Sequence, residues 1–193
     1  MNICIISGSP RKNANSLKLA KRIANYAEQE GQHHTAIVSF ENYDIPLMAQ
    51  GSVNILNLSP FQQQLKSSME SADLIFLISP EYNWMPSAEV VNFFHQMGDK
   101  PFASMWTEKV FAVAGVSNGR GGRFPTIQMT YVLNKLIGFM NFNSLVAPRV
   151  FESQFTQTAI NDQGESMGNA EYDKGFVQYL ESAMEVARRW KKI

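Results

Sequence analysis

Residues 73–79, "DLIFLIS", decide the fold. Leu74 to Ile78 form an unbroken apolar run with no alternation. A strand buried on both faces needs such a run, and strands of that kind belong to parallel sheets with helices on each side. Working outward, the same alternation of elements appears in both directions. Upstream, "NICIIS" (2–7) is another strand-like run, followed by a helical pattern near 16–30, and "HHTAIVSF" (33–40) reads as a strand. A helix near 58–71 leads into the central run, with Ser59 as N-cap, Pro60 at the first helical position and Phe61, Leu65 and Met69 four apart. Downstream come a helix near 87–98, a buried strand "KVFAVAGVS" (109–117), a helix over 124–138 with Gly138 as its stop, and a fifth strand "NSLVAPRV" (143–150). A long polar loop, 152–168, precedes a last helix near 170–191, whose closing cations, Arg188, Arg189, Lys191 and Lys192, suit the helix dipole.

Strands alternating with helices imply an α/β chain: a five-stranded parallel sheet with right-handed crossovers, in a three-layer α/β/α sandwich. For five strands the doubly wound order 2-1-3-4-5 is expected, with all of residues 1–193 in one domain. Ligands then bind beyond the C-terminal strand ends, at the switch point between the first and third strands.

Composition narrows the function classes. Lysines and arginines equal the acids in number, so the net charge is zero, and the basic excess of a nucleic-acid binder is absent. No apolar stretch is long enough for a membrane span, and no basic segment precedes the first apolar run, so a cytoplasmic protein is expected. Cys4, the lone cysteine, sits inside the first apolar run and reads as a core residue. His33, His34 and His95 lack metal-ligand spacing.

Polar and glycine-rich chemistry concentrates on one sheet edge. After the first strand comes "SGSPRKNANS" (7–16), after the third "SPEYNWMPSAE" (79–89) and after the fourth "SNGRGGRFP" (117–125). In the first loop, Ser7, Ser9, Asn13, Asn15 and Ser16 are neutral donors, Arg11 and Lys12 add charge, and a helix N-terminus begins beside them. That set describes a pocket for a phosphate dianion, although it is neither a Walker A loop nor GxGxxG. Tyr82 and Trp84 in the second loop can stack on a planar ring. "GVSNG" (115–119) matches the GxSxG elbow of hydrolases, but that chemistry needs a histidine after the serine, and all three histidines precede Ser117. The glycines of "GRGG" (119–122) suit close backbone approach to a flat ligand.

On these loops the sequence resembles the NADPH-dependent FMN reductases, the flavodoxin-like group that includes chromate, quinone and azo-dye reductases. "GSPRKNANSLKLA" (8–20) is similar to the group's phosphate loop, "SPEYN" (79–83) to its TPEYN signature, "SNGRGG" (117–122) to its third flavin loop and "NDQGE" (161–165) to its short D-x-x-G-x turn. The resemblance implies a flavodoxin-like fold, FMN as cofactor and NADPH or NADH as hydride donor, with a small-molecule electron acceptor: a quinone, an azo or nitro compound, a flavin or a metal oxyanion. It implies phosphate binding by Ser9, Arg11, Asn15 and Ser16. Pro80, Glu81, Tyr82 and Asn83 would border the isoalloxazine ring, with Ser117, Gly119, Arg120 and Gly121 on its other side. Backbone N–H groups of 80–84 and 117–122 would face the charge that reduction puts on the ring.

The sequence departs from the pattern at Ala14, where the group places a hydroxyl, at Pro86, which comes one residue early, and at Val90-Val91-Asn92 and His95, which replace Leu-Lys-Asn and a following acid. A flavodoxin-type electron carrier or FMN-binding regulator is the alternative, though such carriers tend to be strongly acidic and this chain is not. Trp84, Met85, Phe93, Phe94, Met97, Phe102, Met105 and Trp106 crowd into 79–106, which predicts a homodimer or higher homo-oligomer through that region.

Overall fold

Alternation along the central strands sorts their side chains into two cores. In the computed structural model, which describes residues 1–29, 31 and 33–192, β1 (Asn2–Ser7), β3 (Leu74–Pro80) and β4 (Val110–Val116) are the middle of a parallel sheet. The order is β2-β1-β3-β4-β5, with β2 (His34–Ser39) on one edge and β5 (Leu145–Val146) on the other. Ile5, Phe76 and Ala112 pack against α1 (Asn15–Gln29) and α6 (Ala170–Lys191). Their neighbours Ile6, Leu77 and Val113 pack against α2 (Pro60–Ser71), α3 (Ala88–Met97) and α4 (Arg123–Met140). This is the expected flavodoxin-like sandwich, with Cys4 fully buried in the second core. Burial pushes the Cys4 thiol up to about 12, so it stays protonated and inert.

The caps fall where the residue types put them. Ser59 accepts from the Gln62 N–H while Gln62 reaches back to the Ser59 N–H, a full capping box. Ser87 and Asn169 cap α3 and α6 by accepting the Val90 and Tyr172 N–H groups. Glu30, the expected last residue of the first helix, lies outside the described residues.

Four expectations need correction. The fifth strand expected over 143–150 is only the two residues of β5, and a further short strand, β6 (Phe151–Ser153), follows it, both paired with β4. Ala147 still donates to the Phe111 carbonyl, but Pro148 has no N–H, and the chain leaves the ladder there. Gly138 does not stop α4. The helix runs to Met140 and ends at Asn141, whose left-handed φ of 54° lets Asn141 and Phe142 both bond the Ile137 carbonyl. The polar loop 152–168 holds β6's last residues and a short helix, α5 (Thr156–Ala159), with Ser153, Thr156 and Ile160 buried. Finally, most aromatic and Met side chains of 79–106 are core. Phe93, Met97, Phe102, Met105 and Trp106 are buried, and Trp106 stacks between Phe93 and Phe111 while donating to the Met97 carbonyl. Trp84 and Met85 remain exposed, and the broad apolar face lies instead on α4, at Ile127, Tyr131 and Phe139.

At the opposite sheet edge, the Lys109 ammonium donates to the Glu70 and Ala72 carbonyls, closing the C-terminus of α2. Beside it, burial pushes the Glu70 carboxyl up, but hydrogen bonds from Lys66 and Ser104 outweigh this and hold it below its ordinary 4.5. Its folded-state pKa is depressed, so its contribution is present above 4.5 and is lost as pH falls through the lower folded value. Urea midpoints measured from neutral to acid pH should therefore show the gap between the protein and Glu70→Gln closing on the acid side.

Candidate functional site

The three loops converge at the C-terminal ends of β1, β3 and β4. The first is pinned by close backbone contact: Gly8 donates to the Ile78 carbonyl at 2.8 Å, and a Cβ at Gly8 would stand 2.7 Å from that oxygen. Ser87 donates to the Gly8 carbonyl. α1 then starts at Asn15, one residue earlier than expected, with Ala14 accepting from the Leu17 and Lys18 N–H groups. Ala14 has no side-chain oxygen to cap the helix, so the first N–H groups of α1 stay open to a ligand. Ser16 is buried, its hydroxyl bonded to Ser7 Oγ at 2.9 Å.

The second loop makes a tight reversal. Tyr82 and Met85 exchange N–H···O bonds of 3.0 and 3.1 Å, with Asn83 and Trp84 between them at φ of 48° and 63°. Two successive left-handed residues are the mark of a type I′ turn. Asn tolerates that conformation, whereas Trp pays roughly 1 kcal/mol for it. Trp84 is 66% exposed, so burial does not compensate. Tyr82 is tied to the first loop twice: its hydroxyl lies 2.9 Å from Ser9 Oγ, and the Arg11 guanidinium sits 4.4 Å from its ring centroid.

The third loop folds back on its own strand. A Cβ at Gly115 would stand 1.9 Å from the Gly122 carbonyl oxygen, so only two glycine backbones can approach this closely. Ser117 donates to the Ser153 carbonyl, Phe155 donates to the Gly119 carbonyl, and Gly122 donates to Glu81 Oε2 at 2.7 Å. Asn15 and Asn118 join the first and third loops through their side-chain amides.

Between these loops lies a cavity of about 470 Å³. Its wall brings together Ser9, Arg11, Asn15 and Ser16 with Pro80, Glu81, Tyr82 and Ser117. Asn83, Gly119, Arg120 and Gly121, also expected at the site, lie outside that wall. Lys18, Asn118 and Gln157 line it without having been singled out. Asn118 was legible, since it sits inside "SNGRGG"; Gln157 was not, because nothing in a polar loop marks a residue that folding carries back to the sheet edge. The 161–165 turn stands apart, seated on α1, where Lys18 pairs with Asp162 at 2.8 Å and Lys21 donates to its carbonyl. Gly164, at φ 84°, lies so close to α1 that a Cβ would be 2.6 Å from the Arg22 nitrogen.

Accounting for backbone donors sharpens the site further. Of the N–H groups in 80–84 and 117–122, Pro80 has none, and Glu81, Tyr82, Ser117, Gly119 and Gly122 donate to the protein itself. Those of Asn83, Trp84, Asn118, Arg120 and Gly121 have no acceptor among the described residues. A hydrolase is excluded on geometry as well: Ser117 lacks the left-handed φ of an elbow, and its hydroxyl accepts from the Gly119 N–H.

A doubly wound sheet with a phosphate-suited helix start and two ring-suited loops at its switch point defines a flavodoxin-like flavoprotein. The chain belongs to the NADPH-dependent FMN reductase family, whose model matches residues 1–151. It is accordingly an oxidoreductase that works with FMN and NAD(P)H. A curated relative, a probable NADPH:quinone oxidoreductase 2 of Oryza sativa subsp. japonica, is 25% identical over 154 residues, covering 78% of this chain and 71% of that one. Among solved structures, the flavoenzyme FerB, an NAD(P)H:(acceptor) oxidoreductase from Paracoccus denitrificans, superposes with a TM-score of 0.74 at 18% identity over 97% of both chains. An azoreductase from Bacillus anthracis str. Sterne gives 0.54 at 14% identity, covering 98% of this chain and 99% of that one. At these identities the structural matches speak for the fold alone. No helix among the described residues is long and apolar enough to cross a membrane.

Proposed function

We propose that the 470 Å³ cavity is the FMN site of a one-domain NAD(P)H oxidoreductase whose acceptor is a quinone, an azo or nitro compound, a free flavin or a metal oxyanion. The observation that carries this reading is the convergence of the uncapped N-terminus of α1, Ser9, Arg11 and Asn15 with Tyr82 and Ser117 around one cavity. The donor set fits FMN. The open N–H groups of α1, the Ser9 hydroxyl and the Arg11 and Lys12 cations suit a phosphate dianion. Ser16 takes part through its backbone, since its hydroxyl is held by Ser7. Pro80, Glu81 and Tyr82 of the second loop and Ser117 of the third line the cavity for a flat ring, while Asn83, Gly119, Arg120 and Gly121 belong to the same loops beyond its wall.

When bound, FMN supplies the electron relay between the nicotinamide and the acceptor. The chain's own part is to hold and orient. The N–H groups of Asn83, Trp84, Asn118, Arg120 and Gly121 are the donors available to meet negative charge on a reduced ring, with Asn118 in the cavity wall itself. Adding FMN in large excess over its Kd should raise Tm by ~5–10 °C. No shift, together with a colourless purified protein, would overturn the reading. Arg11→Ala should weaken FMN binding about tenfold. Arg11 is exposed, so the Tm of the FMN-free protein should stay unchanged.

The same reading includes a homodimer formed through α4. Ile127, Tyr131 and Phe139 are 55%, 64% and 88% exposed, and a groove of about 280 Å³ runs beside them between α3 and α4, with Phe94 and Leu136 in its wall. α4 carries no acidic residue, and a chain of zero net charge opposes its own copy little. A monomer mass by light scattering at micromolar concentration would contradict this.

A further inference from the structure

We infer that Glu81 is a positioning residue, whose carboxylate holds the third loop so that the Arg120 and Gly121 N–H groups stay free to face a ligand. The inference rests on the FMN reading, because it takes that loop as a wall for the ring. Glu81 Oε2 accepts the Gly122 N–H at 2.7 Å. The other oxygen lies beneath the preceding residue: a Cβ at Gly121 would be 2.8 Å from Glu81 Oε1 and 2.9 Å from Ser117 Oγ. The whole carboxylate is thus set under the Gly121–Gly122 backbone.

Its stem is equally fixed. The Glu81 N–H donates to the Val116 carbonyl at 2.8 Å, which continues the pairing of Pro80 with Val116 at the end of the β3–β4 ladder. The carboxylate therefore projects from a rigid strand end rather than from a mobile loop. At the other end of the bond, Gly122 opens α4 in the left-handed region, with φ of 94° and no side-chain cap. An anion bonded there both satisfies an orphan N–H and meets the positive end of the helix. The contact also consumes the one N–H of the Gly121–Gly122 pair that would otherwise compete for a ligand.

The test compares Glu81→Gln and Glu81→Ala by FMN fluorescence titration and by the midpoint potential of the bound flavin. Gln keeps an acceptor oxygen for Gly122, so its FMN affinity should stay within about threefold of the parent, while Ala should lose about tenfold or more. Removing the charge without moving the loop should raise the midpoint potential in Glu81→Gln, because a carboxylate at the ring's edge opposes an added electron. If Glu81→Ala does not fold, Gly121→Ala displaces the same carboxylate from above and should show the same loss of FMN. Glu81→Ala binding FMN as the parent does, Gln weakening binding as much as Ala, or an unmoved potential in Glu81→Gln would each overturn the assignment. A parent protein that takes up no FMN overturns the FMN reading itself, so the two failures are distinguishable.

Discussion

Gly115→Ala should cost ~3 kcal/mol or more, through forced backbone displacement in an overpacked contact. The new methyl would meet the Gly122 carbonyl oxygen at 1.9 Å, and neither backbone can give way cheaply. Gly115 is inside β4, paired with Ser79 on one side and Glu152 on the other, and Gly122 begins α4. A Tm drop of roughly 6–12 °C is expected for a chain of this size, together with poor retention of FMN because the third loop must open. Gly119→Ala is the control within the same loop. A Cβ there meets nothing within 4 Å, so stability should change by about 0.5 kcal/mol at most. Thermal melts of the two variants with and without FMN check both expectations, and equal melts would refute the close-contact account.

Asn92→Ala should be nearly as damaging, at ~3 kcal/mol, for a different reason. Asn92 is buried, and its amide is fully used: Nδ2 donates to the Tyr43 hydroxyl at 2.7 Å and to the Pro46 carbonyl at 2.8 Å, while Oδ1 accepts the Met48 N–H at 2.9 Å. Ala removes three hydrogen bonds that hold the long irregular segment between β2 and α2, leaving Gln96 and Gln62 as its remaining side-chain ties. Asn92→Asp keeps the Met48 contact and can accept from the Tyr43 hydroxyl, but it sets a carboxylate against the Pro46 carbonyl, so it should rescue only in part. Urea melts report the loss of stability, and faster proteolysis within residues 44–58 reports release of the segment. Unchanged proteolysis would show that Asn92 does not hold it.

The sheet was legible because its central strands are buried on both faces, and a double burial leaves an uninterrupted apolar run in the sequence. The helix starts were legible because Ser59, Ser87 and Asn169 cap them with side chains. What failed depended on where other elements lie. Gly138 has the chemistry of a stop, yet the helix continues past it to Asn141, which adopts the left-handed region. The aromatics of 79–106 suggested an exposed surface, because nothing local reveals that Trp106 tucks between Phe93 and Phe111. At the site, the residue types around the phosphate end were readable from the loop alone. Which backbone donors remain free was not, since Glu81, Tyr82 and Ser117 spend theirs on partners set by tertiary structure.

The clasp formed by Ser153 and Phe155 on the third loop places part of the flavin site's support outside the segment that the family shares, which ends at residue 151. A chain cut there would keep the three loop motifs at the sheet edge but lose the 161–165 turn and the latch on Ser117 and Gly119. Cofactor grip in this protein is therefore adjustable from a distance. Exchanges in 152–156 reach the ring-facing loop through its backbone and leave each motif residue untouched, which makes that short stretch the place to retune how firmly the loop is held without rewriting the site.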